Sequence, residues 1–260
     1  MNIDAKSHRI QQLIQMASNM FKDIPEEMVD RVRELYMNDT RSLRDIEKEI
    51  LLLIEKLKRM EHLVSKDINS EVMENSIILI GPMGVGKSTV AKELCKKISL
   101  PRVSLDSREQ LARYYSQRDK FSHSKEFEFY LTASVLTDLK KPAVIDFGAG
   151  HSIYENPIMF FEVKKLITSF SNVVFLIPSE DKEKSMEILN KRINKMDGNI
   201  PKTTADNKHF IERSNLNSQL ASIIMYTQNK TPSEVAEELI VRINQKRQEK
   251  TEIETEIDRE

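Results

Sequence analysis

Apolar positions change their period near residue 76. Before it they recur in steps of three and four: Ile10, Leu13, Ile14 and Ala17, then Met28, Val29, Val32, Leu35 and Tyr36, then a longer series from Leu43 through Ile46, Ile50, Leu53, Leu57 and Met60 to Val64. Each series lies on one face of a helix. Asp23 and Thr40 stand at cap positions for the second and third helices, and Pro25 suits a first turn. The third series holds its spacing for about three heptads, a coiled-coil-like seam that another helix must cover. Two partners satisfy it: a helix of the same chain, making a small bundle, or a second copy, making a homodimer through the N-terminal helices.

Beyond a polar connection at 66–76, short and nearly continuous apolar runs alternate with amphipathic ones. Strands are expected at 77–80, 102–105, 143–147, 173–177 and 222–226. Helices are expected after the first strand to about 98, in a charged region with a loop near 116–124, and at 126–139, 157–168, 181–193 and 208–219, with a last one from 232 to about 245. Such alternation gives a doubly wound α/β fold, five parallel strands joined by right-handed helical crossovers, preceded here by an all-helical region. Residues 246–260 read as a solvated charged tail or a frayed extension of the last helix. The expected boundaries are therefore a helical region at 1–70, an α/β domain at 76–245 and the tail.

The junction of the first strand and its helix carries a specific signal. Ile77 to Ile80 run into Gly81, Pro82, Met83, Gly84, Val85, Gly86, Lys87, Ser88 and Thr89, the spacing G-x-x-x-x-G-K-S between a strand and a helix. Glycine at 81, 84 and 86 removes the Cβ that would hold the backbone off an anion. Amides from Gly81 to Thr89 can then turn toward phosphate oxygens at a helix N-terminus. Lys87 would reach the outer phosphates and the Ser88 hydroxyl a Mg²⁺ ion, so ATP and Mg²⁺ are the expected cofactors.

Composition narrows the partners. The 260 residues hold 40 Lys and Arg against 41 Asp and Glu, a formal net charge of -1, which supplies no general attraction to nucleic acid or anionic lipid. Residues 32–50 can be arranged as a helix-turn-helix, yet acidic neighbours match their basic side chains, and nucleic acid is not an expected partner. Cys95 is the single cysteine, which excludes an internal disulfide and a cysteine-rich metal site; its apolar helical surroundings predict an inert thiol. The histidines His8, His62, His123, His151 and His209 show no metal-ligand spacing. The start lacks an apolar leader and no stretch approaches ~18 consecutive apolar residues, so no membrane span and a cytoplasmic location are expected.

Several polar residues fall where such a domain does chemistry. Asp106 ends the second strand, on the edge where ligands collect in open parallel sheets. It can accept a hydrogen bond from a substrate hydroxyl, or cap a helix with Glu109 at the capping-box spacing, and local pattern does not separate the two. Asp146 closes an apolar strand, where an ionised carboxylate requires a cation or donors; a phosphate-bound Mg²⁺ shared with Ser88 would meet that need. Gly148 and Gly150 flank Ala149 in a turn that admits substrate to the backbone, or that is simply tight. Lys202 and Arg213 lie in or beside a polar stretch from which cations could close over a triphosphate, though each also reads as a surface charge.

Residues 76–243 resemble shikimate kinase, a P-loop kinase of the nucleoside monophosphate kinase class. The loop ILIGPMGVGKSTVAKEL is close to the family's own, and LPRVSLD resembles its strand ending in the aspartate that binds substrate hydroxyls, here Asp106. VIDFGAG stands for the family's glycine-rich substrate loop, with Ala149 in place of the middle glycine. GNIPKT resembles the start of its mobile lid, with Lys202 over the phosphates, and IERSNL a helix whose arginine, here Arg213, holds a substrate carboxylate. QNKTPSEVAEELI resembles the end of the family's chain, where Lys230 to Pro232 border the adenine; Arg192 is counted with the same nucleotide site. Two positions depart from the pattern. Ser104 replaces the first aspartate of a D-x-D pair, leaving Asp146 to anchor the metal. In SKEFEFYL, Glu128 stands where the family's second carboxylate-binding arginine is expected, and a carboxylate facing the substrate's own at ~4 Å repels it by about 1 to 4 kcal/mol.

What the resemblance implies is an ATP-dependent kinase that transfers the γ-phosphoryl group of ATP·Mg²⁺ to a hydroxyl of a small polar metabolite, shikimate or a related polyol. Lys87, Asp106, Lys202 and Arg213 would carry the chemistry; Asp106, Glu128, Gly148, Ala149, Gly150 and Arg213 would bind the acceptor. The alternative is an ATP-binding switch or weak ATPase acting on a protein partner through the N-terminal helices.

Overall fold

The computed structural model describes residues 8–13, 15, 42–48, 51, 68–118, 124–154, 157–195 and 214–257. The chain divides into two units, one comprising the described residues of Met1–Lys66 with Tyr154–Glu162, the other Asp67–Ile153 with Val163–Glu260. In the first, residues 8–13 and 43–48 are helical. Ile10, Leu13 and Ile46, all on predicted apolar faces, are buried. Arg9 Nε donates to Glu47 Oε1 at 2.6 Å, which ties the first predicted helix to the third within one chain. Ile14, Ala17, the second predicted helix and the seam beyond residue 51 lie outside the described residues.

The second unit is built on five strands, β1 (Ile77–Ile80), β2 (Arg102–Ser104), β3 (Val144–Asp146), β4 (Asn172–Ile177) and β5 (Ile223–Tyr226). All pair in parallel, in the order β2-β3-β1-β4-β5. The three inner strands are buried along their whole length, as strands covered on both faces must be, and this explains their unbroken apolar runs. Asp146 pairs in register with both Leu79 and Ser104. The carboxyl ends of β1, β2 and β3 therefore lie side by side.

The helices in chain order are α1 (Ser70–Asn75), α2 (Lys87–Ile98), α3 (Arg108–Tyr115), α4 (Ser124–Thr137), α5 (Pro157–Thr168), of which Val163 onward belongs to this unit, α6 (Lys182–Ile193), α7 (Ser214–Leu220) and α8 (Pro232–Ile257). Helix α2 lies against β1, β2 and β3, and α8 packs on α2, where Lys97 Nζ meets Glu237 Oε1 at 2.7 Å. The expected doubly wound α/β architecture is the observed one.

Two details differ from the sequence pattern. The polar connection contains a helix, α1, of only six residues, too short to persist alone. Asn69 Oδ1 caps it by accepting from Glu71 N at 2.8 Å, and its far end is held by Ser171 N and Asn172 Nδ2, which donate to Met73 O and Glu74 O at 3.0 and 2.8 Å. Helix α8 continues past residue 245 to Ile257. Lys246 Nζ donates to Ser171 O at 2.6 Å and Arg247 Nη2 to Asn75 Oδ1 at 2.9 Å, so charged residues that read as tail anchor a helix to its domain. Of the helix expected at 208–219, α7 covers the described part. Among the described residues no helix is long and apolar enough to cross a membrane. Cys95 is half-buried, and burial pushes its thiol pKa up, which keeps it protonated and unreactive.

Candidate active site

The loop between β1 and α2 has the backbone that its glycines permit. Gly81, Gly84 and Gly86 have φ of 147°, 78° and 102°. A Cβ on Gly81 would lie 2.4 Å from Leu176 O, and one on Gly84 2.9 Å from Ile193 Cγ1, so close packing against β4 and α6 requires glycine at both. Gly86 is the N-cap of α2 and has no side chain to satisfy the first amides of the helix, which leaves them for an anion. Lys87 is buried, and its Nζ donates back to Gly81 O at 2.8 Å and Pro82 O at 3.0 Å. Burial lowers its pKa from 10.5 to about 8, against the opposing pull of Asp146 and Asp106. Ser88 and Thr89, at the start of α2, are exposed.

A cavity of about 260 Å³ adjoins the loop. Gly84, Val85, Gly86 and Thr89 form one side, and Arg192, Thr227, Lys230 and Pro232 the other. Arg192, from the last turn of α6, donates through Nη1 to Val85 O at 3.2 Å and through Nη2 to Thr227 O at 3.4 Å. It thereby braces the loop against the end of β5, and burial pulls its pKa down. Lys230 pairs with Glu238. Of the nucleotide-site residues expected from sequence, Gly84, Val85, Gly86, Thr89, Arg192, Lys230 and Pro232 line this one cavity. Gly81, Met83, Lys87 and Ser88 belong to the loop beside it.

Asp106 follows β2, and the structure separates its two sequence readings. The cap of α3 is Ser107, whose Oγ accepts from Gln110 N at 3.2 Å. Asp106 is left exposed, with its carboxylate against Gly148: a Cβ there would lie 2.2 Å from Asp106 Oδ1. On its other side stands buried His151, whose Nε2 is 3.4 Å from Asp106 Oδ1. That hydrogen bond holds the Asp106 carboxyl below the usual carboxylate range. The ring's second nitrogen is also placed. Nδ1 lies 3.0 Å from Thr132 Oγ1, which is also 2.8 Å from Glu128 O.

At the other end of the Gly148–Ala149–Gly150 turn lies Glu128. Its Oε2 accepts from Lys125 Nζ at 2.6 Å, and the same ammonium donates to Gly150 O at 2.9 Å. Asp146, buried at the end of β3, has Arg102 Nη2 at 2.7 Å and Ser104 Oγ at 3.4 Å, both on Oδ2. The cation that the apolar strand required is thus an arginine of β2. Lys202 and Arg213 lie outside the described residues. Sequence reasoning did not single out Arg102, Thr132, Lys125 as a partner of Gly150, or His151 as a partner of Asp106. The one available signal was the position of His151 directly after the glycine turn.

The shikimate kinase family model matches residues 83–244. The chain belongs to the shikimate kinase family. It is therefore an ATP-dependent small-molecule kinase by descent. A shikimate kinase of Enterococcus faecalis is 29% identical over 180 residues, covering 65% of this chain and 99% of the relative. One from Buchnera aphidicola is 24% identical over 170 residues, covering 64% and 95%. Among solved structures, the shikimate kinase of Acinetobacter baumannii in complex with shikimate aligns with a TM-score of 0.50 at 17% identity, over 68% of this chain and 98% of that one. It shares the fold. The relatives match nearly end to end, and the family model begins at residue 83.

Proposed function

We propose that this chain transfers the γ-phosphoryl group of ATP·Mg²⁺ to a hydroxyl of a small polyol seated on Asp106. The observation that carries the reading is the nearness of the phosphate loop to that carboxylate. The charges of Lys87 and Asp106 each act on the other's pKa, and β1, β2 and β3 end in register beside them, which supports one cleft for donor and acceptor. Lys87 and the loop amides hold the phosphates, and the base enters the cavity bordered by Arg192, Lys230 and Pro232. Asp106, kept ionised, orients the attacking hydroxyl and takes its proton as the new bond to the γ-phosphorus forms and the bond to the β-phosphate oxygen breaks, releasing ADP. Lys202 and Arg213 add positive charge over the transferred group. Gly148, Ala149 and Gly150 admit the acceptor to the backbone, beside Glu128.

Ser88 and Asp146 offer hard oxygen donors, which suit Mg²⁺. No group of three or more His, Cys, Asp or Glu among the described residues could hold a metal unaided, as fits an ion that arrives on the nucleotide and takes one or two protein oxygens. When bound, it would neutralise charge on the β- and γ-phosphates. We assign catalysis to residues 76–245 of a cytoplasmic protein, with residues 1–70 as a separate helical region and 246–260 as an extension. The family match favours this reading over a nucleotide switch. Measuring ADP release with and without a panel of cyclic polyols, shikimate included, tests it: release that depends on an acceptor supports the kinase, and a flat response refutes it.

A further inference from the structure

Asp106 must hold one orientation to aim a hydroxyl, yet 67% of its side chain is exposed. A side chain so open to solvent exchanges rotamers freely unless a neighbour fixes it. His151 is placed to do so. Its side chain is 7% exposed, with Nε2 3.4 Å from Asp106 Oδ1. The histidine is itself fixed at two points. Its backbone N–H donates to Gly148 O at 3.1 Å, closing the glycine turn that follows β3. Its Nδ1 lies 3.0 Å from Oγ1 of Thr132, a wholly buried residue of α4. One residue thus ties together the turn after β3, the helix α4 and the carboxylate that follows β2.

The ring needs no charge for this task. An ionised carboxylate facing a ring nitrogen favours a hydrogen on that nitrogen, so the neutral ring carries it on Nε2 and leaves Nδ1 to accept. The Thr132 hydroxyl, which rotates between Nδ1 and Glu128 O, can supply that second bond. A contact of 3.4 Å is long, as catalytic hydrogen bonds often are before substrate arrives. We propose that His151 is a positioning residue for the phosphoryl transfer: as the neutral Nε2–H tautomer it holds Asp106 Oδ1 and leaves Oδ2 for the acceptor hydroxyl. It acts through Asp106 and not on either substrate. This rests on the kinase reading above and deepens it, by naming what aims the acidic side chain. A histidine buried for packing alone has no need of a particular tautomer.

Two measurements on the full chain test it. Long-range nitrogen–proton NMR correlation at pH about 8.5, where an ordinary histidine is neutral, reads the tautomer, with the His151 signal assigned by its loss in His151→Gln. An Nε2–H ring is expected, and an Nδ1–H ring overturns the inference. The second measurement is ADP release from ATP·Mg²⁺ with the panel of cyclic polyols, shikimate included. His151→Phe, which lacks the donor, should lower kcat about 100-fold with calorimetric ATP binding retained. His151→Gln, whose amide N–H can reach Asp106 from nearly the same place, should stay within about tenfold of the parent. With Asp106→Asn already in place, His151→Phe should cost less than about a further threefold, because its effect passes through that carboxylate. Equal losses in the two His151 variants, or a loss that multiplies with that of Asp106→Asn, overturn the inference and leave the kinase reading standing. If His151→Phe does not fold, the tautomer and the His151→Gln rate decide, and a drop beyond tenfold in the latter overturns the inference. No acceptor-dependent release from the parent overturns both.

Discussion

Lys87 is held in the nucleotide-free protein at a cost, and its removal should show that cost. A lysine brought by burial from 10.5 to about 8 keeps its charge at pH 7 against about 3 kcal/mol. Lys87→Met removes this penalty and fills most of the same space. It also strips Gly81 O and Pro82 O of their shared donor, which returns about 1 kcal/mol for each carbonyl. The net change is close to zero or slightly favourable, and about 1 kcal/mol moves Tm by about 2–4 °C in a domain of this size. Thermal unfolding without nucleotide should therefore place the variant level with the parent or a few degrees above it. Adding ATP·Mg²⁺ at about a hundred times its Kd should stabilise the parent by about 3 kcal/mol and the variant not at all. The sign with pH is set. The unfolded chain binds the extra proton between pH 8 and 10.5, so the penalty is complete below pH 8 and fades as pH rises through that window. The parent should gain on the variant over that range. A variant that melts more than about 5 °C lower without ATP, or one that keeps the ATP shift, would refute the argument.

The same lysine predicts proton uptake. At pH 8 its free form is about half charged, and a triphosphate should complete the charge, so calorimetry in buffers of different ionisation heat should report uptake of about half a proton per ATP; none would count against Lys87 as the phosphate contact. Gly148→Ala drives a methyl into the Asp106 carboxylate. Because that side chain can swing away, Tm should hardly change while kcat falls about 100-fold with ATP binding retained. An equal loss of stability and activity would mean that the turn is structural. Arg102→Ala leaves the buried Asp146 carboxylate without its cation; urea unfolding should register a loss of about 3 kcal/mol, largely recovered by adding Asp146→Asn.

Much of the α/β domain is legible because its signals are local. The glycine spacing of the loop, the buried strands as unbroken apolar runs and the cap of α6 by Asp181 depend on neighbours a few residues away. Where a local rule admits two answers, sequence stalls: Asp106 and Ser107 are both good caps, and the choice between them emerges only when Ser107 takes the amide of Gln110. Helix α1 was missed because its stabilising bonds come from Ser171 and Asn172, about a hundred residues along the chain.

Sequence alone determined that a triphosphate loop sits between a strand and a helix, that five strands run parallel, and that acidic groups end two of them. Tertiary structure decided what those acids face. Arg102 reaches Asp146, His151 reaches Asp106 and Lys125 closes on Glu128 and Gly150, mostly across elements distant in the chain. The physical reason is range: backbone preference is settled within a turn or two of chain, while the partner of a charge is set by whichever element packing brings within a few ångströms.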